Sequence, residues 1–275
     1  MKIRLLSMLV AATGLATAQT PSIRDTQGIL NAASFTTPVA PGALLSIFGS
    51  NLASSLASAD TIPLSTNLGG VTVHFVQGTN SFGSPLLFVY QGDPTKNAPA
   101  QVNAQLPWEI DPNGGPVTVT VTSNGATSNA ASVPVAALGP GIFVSNGFAI
   151  AVNNTDNTLV WPAGAVPGLT THPAKAGDVV IIYATGLGAV DNPIPDGQAP
   201  SYFDNVLRNT TTVPTVMVGG IQAQLIYSVL SPQFVGVNQL AIFIPKGVAP
   251  GNSVPLQIQE GGVTSPASAV IAIGQ

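Results

Sequence analysis

The sequence contains no cysteine and very little charge. The absence of cysteine excludes disulfide bonds, thiol catalysis and cysteine-ligated zinc, so stability has to come from the burial of apolar side chains. Only 7% of the residues are charged, whereas 45% are hydrophobic. This balance excludes highly charged disorder and helices that pair opposite charges along their surfaces.

Basic residues and long apolar runs are scarce as well. Of the seven basic residues, Lys2 and Arg4 belong to a predicted leader; the remaining five face eleven acidic residues, a net charge of −6 with neutral histidines. Duplex nucleic acid is bound through Lys and Arg that displace its counterions, so we expect no nucleic-acid partner. Beyond the leader, no segment offers about 18 uninterrupted apolar residues, and we expect no membrane span.

The first twenty residues, MKIRLLSMLVAATGLATAQT, are typical of a secretory signal peptide. A short positive start is followed by an apolar stretch from Leu5 to Leu15 and by the small-x-small sequence Ala16-Thr17-Ala18. We therefore predict a signal peptide at 1–18. The mature protein is expected to be secreted or held at the cell surface, in a periplasm or outside the cell.

The chain is rich in Gly (29) and Pro (24), and its apolar segments are short, which is typical of strands joined by tight turns. The phrase PGALLSIFGSNLA at 41–53 returns as AGDVVIIYATGLG at 176–188, and three further blocks recur in the same order. This repetition predicts an internal duplication. The paired positions, at offsets of 135, 150, 138 and 137, are Phe48 with Tyr183, Gly69-Gly70 with Gly219-Gly220, Pro107 with Pro245, and Thr127-Ser128 with Thr264-Ser265.

The repeated blocks alternate as half-buried strands do. VTVTVTSNGATSNAASVPVA (117–136) alternates Val and Thr before Asn124-Gly125, a pair that favours a tight hairpin turn. We predict an all-β fold of two tandem immunoglobulin-like β-sandwich domains related by internal duplication. Their predicted boundaries are 27–138 and 171–275, with an apolar connecting hairpin at 139–170 that packs between or beside them.

Five motifs together carry a family resemblance. They are ILNAASF (29–35), VAPGALLSIFGSNLA (39–53), QVNAQLPWEI (101–110), GPGIF (139–143) and IIYATGLGAV (181–190). In this order they resemble the uncharacterised C-terminal domain abundant in secreted proteins of Solibacter and related acidobacteria, and the halves are similar to IPT/TIG-type immunoglobulin-like domains. The resemblance implies a module at the end of longer secreted proteins. It implies no established activity, so it assigns no catalytic residue.

Catalytic signatures are few. His74 and His172 are the only histidines, and a zinc site would need carboxylate ligands brought from elsewhere. No G-x-S-x-G or H-E-x-x-H motif occurs. Glu109 and Asp111 in PWEIDPNGG form the nearest carboxylate pair, which could serve a polysaccharide hydrolase; the alternative is a turn, because DPNGG is a turn sequence.

The loop VDNPIPDGQAPSYFDN (190–205) is the most distinctive polar segment. It gathers Asp191, Asp196 and Asp204, oxygen donors that could bind calcium, although a solvated acidic loop explains them equally. It also carries Tyr202 and Phe203, which are candidates for ligand contact because loops at the ends of sandwiches often bind. Its counterpart in the first half is the loop at 53–67.

Two tryptophans complete the candidates. Trp108 and Trp161 could stack on sugars, or they could be core or interface residues. We expect a non-catalytic exported protein that binds a protein or carbohydrate partner or serves as a scaffold, and that needs no cofactor. The alternative is a secreted hydrolase that uses Glu109 and Asp111.

Overall fold

The computed structural model describes residues 19–275, so the predicted signal peptide at 1–18 lies outside the described residues. The described chain is nearly all β, with antiparallel sheets, as the sequence predicted. One short 3-10 helix, Pro94–Lys96, is found in this part of the chain. Within residues 19–275, no helix is both long and apolar enough to cross a membrane.

Eleven strands build the first half. They form two sheets, ordered β1-β3-β8-β7-β4 with β2 beside β3, and β10-β9-β5-β6 with β11 beside β9. The strands are β1 (Ser22–Ile23), β2 (Ile29–Asn31), β3 (Leu44–Ser50), β4 (Ala57–Ser58), β5 (Val71–Gln77), β6 (Asn80–Gly83), β7 (Leu86–Tyr90), β8 (Ala100–Gln105), β9 (Val117–Ser123), β10 (Ala126–Thr127) and β11 (Ala131–Val133).

The two sheets of the first half pack face to face. Alternate residues of β5, Val71, Val73 and Phe75, point inward and are fully buried against the opposite sheet, where Ile47 and Val102 are equally buried. The alternation follows from the pleat, which sends successive side chains to opposite faces. Each such side chain contributes about 1.5–3 kcal/mol by its burial. The first half is therefore a β-sandwich with its own core.

Twelve strands build the second half. Its sheets are ordered β12-β16-β20-β19 with β15 beside β16, and β18-β17-β21-β22 with β23 beside β21, while β13 and β14 form a small hairpin. The strands are β12 (Gly141–Ile142), β13 (Val144–Ser145), β14 (Phe148–Ala149), β15 (Ala151–Asn153), β16 (Val179–Thr185), β17 (Thr215–Val218), β18 (Ile221–Gln222), β19 (Gln224–Leu230), β20 (Asn238–Phe243), β21 (Gly251–Glu260), β22 (Val263–Thr264) and β23 (Val270–Ile273).

These sheets enclose a second, separate core. Ile182 and Leu240 of one sheet pack on Val216 and Leu256 of the other, all without solvent exposure. The core also takes in side chains from segment 139–170, including Val160. The second half is thus a second sandwich, and segment 139–170 is part of it.

Segment 139–170, predicted as a connecting hairpin, supplies the opening strands of the second sandwich. β12 pairs with the end of β16 as β1 pairs with the end of β3, and β15 lies beside β16 as β2 lies beside β3. The second sandwich therefore begins near residue 141, in place of the predicted 171. The hairpin β13–β14, inserted between β12 and β15, hid this correspondence in the sequence.

The pairing within the two halves matches residue by residue. Phe48 is opposite Gln101, and Tyr183 is opposite Gln239 at the corresponding place. Strands β7 and β19 each carry a bulge at the same point of their ladders. After each predicted hairpin a serine hydroxyl, Ser128 or Ser265, accepts from a strand amide at 3.0 and 2.9 Å. The internal duplication stays a prediction. The matching strand pairing of the two halves is what such a duplication would produce.

The predicted glycine pairing is wrong. Gly69-Gly70 precedes β5, whereas Gly219-Gly220 forms the turn that follows β17 and leads into β18. The turn in the first half that corresponds to Gly219-Gly220 begins at Gly78, after β5. This explains why the glycine pairs were 150 residues apart while the other blocks were offset by 135 to 138.

Candidate functional site

A cleft of about 580 Å³ lies between the two halves. One wall comes from residues 59–64 of the first half, and the other from 199–201 and 233–237 of the second. Both walls thus include loops that the sequence singled out as counterparts, 53–67 and 190–205. Asp60 is the one charged residue among the described residues that line it, and the apolar lining consists mainly of Leu44, Ile62, Leu64, Leu87, Phe234, Val235 and Val237.

A second apolar hollow of about 470 Å³ continues the cleft along the second half. It shares Leu44, Leu87, Phe234 and Val237 with the first. Its other residues are Phe143, Val144, Ile150 and Tyr183, and the Tyr183 ring meets the Phe234 ring edge to face at 6.3 Å. The two hollows form one continuous apolar surface, called here the junction cleft.

A buried hydroxyl and a glycine join the two halves next to Leu44, which lines the cleft. Thr185 Oγ1 accepts from the Leu44 amide at 3.0 Å and donates to the Gly236 carbonyl at 2.6 Å, so it joins the two halves. Gly236 has a φ of +67°, and a Cβ there would lie 2.9 Å from the Gly42 carbonyl oxygen. A larger residue at 236 would push the halves apart.

Loop 190–205 is fastened to the first half by backbone contacts. The Gly197 amide donates to Gln105 Oε1 at 2.7 Å, and the Gly197 carbonyl accepts from the Leu64 amide at 2.8 Å. The Trp108 amide donates to Asp196 Oδ1 at 3.1 Å. Because Gln105 is 1% exposed, its bond to Gly197 is shielded from water. These bonds fix both cleft walls relative to each other.

Asp196 and Glu109 form a carboxyl pair beside this fastening. Burial raises the pKa of Asp196 to about 7, and the hydrogen-bonded Glu109 carboxyl adds to the rise against the opposing Trp108 amide. The structure thus pairs Glu109 with Asp196 across the junction, and not with Asp111 as the sequence suggested.

Asp111 instead shapes the predicted turn. Its carboxylate accepts from the Asn113 amide at 2.8 Å, and its backbone exchanges hydrogen bonds with the Gln77 side chain. This arrangement is the Asx turn expected of DPNGG. Of the two hypotheses for this segment, the geometry agrees with the turn.

The three aspartates proposed for calcium have separate partners. Asp191 accepts from the amide and side chain of Asn209, and Asp204 pairs with Arg208 at 2.6 Å. Asp196 is taken up by the junction contacts. Within residues 19–275, no three His, Asp or Glu side chains come together as a metal site. The calcium hypothesis required such a cluster, and the loop does not form one.

Neither tryptophan is placed to stack on a sugar. Trp161 is 3% exposed, and its Nε1 donates to the Ala149 carbonyl at 2.7 Å. Trp108 is partly buried among Val190, Ile194 and Leu230, where it ties the halves together. A Cβ on Gly42 would lie 2.2 Å from the Trp108 ring, so only glycine fits beneath it. Both tryptophans are core or interface residues.

The aromatic residues of loop 190–205 are the most exposed of the predicted contacts. Tyr202 and Phe203 have 65% and 92% of their surface in solvent. Tyr202 also lines a hollow of about 270 Å³ over the second half, together with Arg208, Tyr227 and Gln239. Both rings are therefore accessible to a partner.

The histidines take structural positions. His74 is exposed on the outer face of β5. His172 Nε2 meets Asp156 Oδ2 at 2.6 Å, while its Nδ1 meets the Pro173 carbonyl at 3.0 Å. Since a carbonyl and a carboxylate both accept, this arrangement requires the doubly protonated imidazolium. The Pro173 carbonyl and Asp156 raise the pKa of His172.

Sequence reasoning missed the residues at the cleft centre. Phe234 is 52% exposed between Pro232 and Gly236, and the segment SPQFVGVN carries no motif that distinguishes it from a buried strand. The one signal in this segment that could have indicated the site is Gly236, which directly follows the aromatic and apolar pair Phe234-Val235. Comparison of the whole chain with models of protein families and with curated proteins found no match.

Proposed function

We propose that this is a non-catalytic binding protein that holds an apolar segment of a partner protein in the junction cleft. The observation that carries the proposal is the cleft itself, a continuous apolar surface with walls from both halves and the half-exposed Phe234 at its centre. Exposed apolar surface of this extent is costly in water and marks interaction sites.

The lining favours a peptide over a sugar as the cleft ligand. A sugar needs hydrogen-bonding side chains to replace its hydration, but the second hollow is almost wholly hydrocarbon and aromatic ring. Extended peptide segments supply apolar side chains at regular spacing. The exposed rings of Tyr202 and Phe203 follow Ser201, which lines the cleft, and they offer further apolar surface to a partner.

The test is a selection of phage-displayed random dodecapeptides on the full mature chain. Peptides rich in Leu, Ile and Phe should be enriched. Their binding should be lost in Phe234→Asp and in Ile62→Asp, both of which place a charge in the cleft at half-exposed positions. Phe243→Asp is the matched control, since Phe243 is an exposed aromatic at the far end of β20.

Two results would defeat the proposal. One is enrichment of peptides without apolar character, or none at all. The other is equal binding by wild type, Phe234→Asp and Phe243→Asp. Melting curves of each variant separate loss of binding from loss of fold.

A hydrolase is the second candidate, favoured by the Glu109–Asp196 pair. A carboxyl with its pKa near 7 next to a second carboxyl is what general acid catalysis on glycosides uses. Assay of the mature chain on para-nitrophenyl glycosides tests it. Hydrolysis that disappears in both Glu109→Gln and Asp196→Asn, with unchanged melting, would favour the hydrolase and count against the binding protein.

We also propose that the protein is exported. The predicted signal peptide at 1–18 and the cysteine-free sandwiches suit a protein that works at the cell surface or outside the cell. Fractionation of cells that express the full chain, followed by N-terminal sequencing, tests this. We expect a product that begins at Gln19.

A further inference from the structure

The outer face of the first sandwich carries an ordered grid of aromatic and amide side chains. Three neighbouring strands, β3, β8 and β7, contribute it, and direct cross-strand partners share a face. Their core-facing residues alternate with these and are fully buried. The first row is Phe48–Gln101–Tyr90, and the second row is Ser46–Asn103–Phe88. We call these six side chains the amide face.

The middle of the amide face is a fixed hydrogen-bond network with capacity left over. Asn103 Oδ1 accepts from Gln101 Nε2 at 2.7 Å and from Ser46 Oγ at 3.1 Å. These two bonds set the orientation of both amides. Within residues 19–275, the Asn103 Nδ2 group and Gln101 Oε1 then have no protein partner, which leaves two N–H donors and one carbonyl acceptor for a ligand.

Aromatic rings flank this network on both sides. The Phe48 ring lies 6.2 Å from that of Phe35, and the Phe88 ring lies 6.5 Å from that of Tyr90. Each row crosses two strand spacings, roughly 10 Å. Aromatic rings thus lie on both sides of Gln101 and on one side of Asn103, and the electron-rich face of such a ring attracts positively polarised C–H groups.

The chemistry of the amide face selects its ligand. None of its six members is charged, so it offers nothing to attract an ionic ligand. A purely apolar segment would leave the free amide groups without partners, which is costly once they are covered. A sugar combines hydroxyl groups for the amides with a C–H face for the rings. We propose that the amide face is a binding site for a neutral saccharide, independent of the junction cleft.

The second sandwich provides a natural control. Its corresponding rows are Tyr183–Gln239–Val229 and Ile181–Ala241–Tyr227. Here Gln239 is already satisfied, because it donates to the Tyr227 hydroxyl and accepts from the Ser231 hydroxyl, both at 3.1 Å. Residues of loop 200–208 also lie over this face. It lacks the free amides of its counterpart, in which Ser46 is 1% exposed and the other five side chains are partly exposed.

The experiment is native affinity electrophoresis of the full mature chain in gels that contain hydroxyethyl cellulose, xylan, galactomannan, laminarin or polygalacturonate. At least one neutral polysaccharide should retard the chain. Gln101→Ala and Tyr90→Ala should each weaken that retardation by about threefold to tenfold, in line with the loss of one aromatic or amide contact. Tyr227→Ala, the corresponding change on the covered face, and Phe234→Asp in the cleft should leave it unchanged.

Several outcomes would overturn the proposal. These are no retardation by any of the neutral polysaccharides, retardation only by polygalacturonate, or equal retardation of wild type, Gln101→Ala and Tyr90→Ala. If Tyr90→Ala does not fold, Asn103→Asp keeps the shape and changes the donors to acceptors, and it should also lose retention. A dimer in sedimentation that Gln101→Ala dissociates, without retention in any gel, would assign the face to a second copy of the chain.

Discussion

The two sandwiches share one ladder but differ in what lies on its outer face. In the first, the loop after β3 (51–70) reaches β7 and adds β4 there as the outermost strand of the sheet. In the second, the longer loop after β16 (186–214) reaches β19 in the same way through Asn209 and then has residues to spare. Those residues fold over the face. The longer loop thus adds to the differences between the side chains of the two faces.

The difference between the two sandwiches also gives them different roles. The covered half contributes structure: its loop fastens the junction through Asp196 and Gly197 and forms a cleft wall. The open half keeps unsatisfied amides at its surface. A fold does not choose a function, but the loops laid on it expose or hide the groups that can act.

The difference between the two sandwiches with the largest expected effect lies directly before the turns Asn124-Gly125 and Gly261-Gly262. At this position the first sandwich has Ser123 and the second has Glu260. Glu260 is 2% exposed, and neither of its carboxyl oxygens has a partner within residues 19–275. Burial raises the pKa of Glu260 from 4.5 to about 8. The folded state therefore holds the proton more tightly than the unfolded state, and stability falls as pH rises from 4.5 to about 8.

We expect the free energy of unfolding of the second half to fall by on the order of 4 kcal/mol across this range. Glu260→Gln should remove the fall, so that the variant equals wild type near pH 4 and exceeds it at pH 9. Urea unfolding at each pH measures this. Asp25→Asn, which removes an exposed carboxylate, should follow wild type; a Glu260→Gln profile that also follows wild type would contradict the account.

A second prediction concerns the loop that closes the second face. Arg208 is 15% exposed and donates to Asp204 at 2.6 Å and to the Asn192 carbonyl at 2.9 Å. Arg208→Ala should cost about 2 kcal/mol, because partly buried charge-assisted bonds are lost. Hydrogen exchange should speed up in residues 200–208.

The matched control is Lys96→Ala in the first half, whose ammonium is 79% exposed beside Asp93. Surface ion pairs contribute little, so its effect should stay below about 0.5 kcal/mol. Equal destabilisation by the two variants would show that Arg208 does not hold the loop.

The junction between the halves should respond to pH through Asp196. The raised pKa means that Asp196 loses its proton as pH rises through about 7, and its charge is then disfavoured by burial and by the neighbouring Glu109 carboxyl. We expect the junction to loosen by about 1 kcal/mol above that pH, a small effect because Glu109 is exposed. Exchange of the Gly197 amide, corrected for its intrinsic pH dependence, measures it.

Asp196→Asn is the variant to compare, since its amide oxygen can still accept from Trp108. Its Gly197 exchange should be the same at pH 6 and pH 8. A pH-dependent difference as large as that of wild type would rule out the carboxyl pair as the cause.

The smallest effect on stability is expected at the hydrogen-bonded pair of Asp156 and His172, in the opening segment of the second sandwich. We call this pair the clasp. The hydrogen-bonded His172 lowers the pKa of Asp156 to about 2. The raised pKa of His172 means that the clasp stabilises below pH 6.5 and loses this contribution as pH rises through the folded value. His172→Gln should remove this weak pH dependence. A midpoint of its ring resonances at or below 6.5 in wild type would contradict the clasp.

The sequence predicted the strands well and the opening of the second sandwich poorly. Val–Thr alternation, Asn124-Gly125 and the Thr-Ser pairs report local geometry, which a sequence carries directly. The correspondence of Asn31 and Asn153, both buried beside the ends of β2 and β15, was missed because hairpin β13–β14 changes the spacing. An insertion between equivalent strands leaves the ladder intact but removes the constant offset.

The candidate sites depended more on tertiary contacts. Exposure of Tyr202 and Phe203 agrees with their prediction as contact residues, but Trp108 and Trp161 lie in interfaces that composition cannot distinguish from surfaces. Glu109 found its carboxyl partner in Asp196, which is remote in sequence. The amide face was missed because it depends on the register across β3, β8 and β7, which are neighbours in the sheet although β3 is distant from the other two in the chain.

The central claim is that the open face of the first sandwich binds and the covered face of the second does not. Side-chain amide resonances of the isotope-labelled chain test it most directly, during titration with oligosaccharides cut from the polysaccharide that retards the chain. The account predicts that the signals of Asn103 and Gln101 shift and saturate while those of Gln239 stay in place. Shifts at Gln239 with none at Asn103 and Gln101 would contradict it.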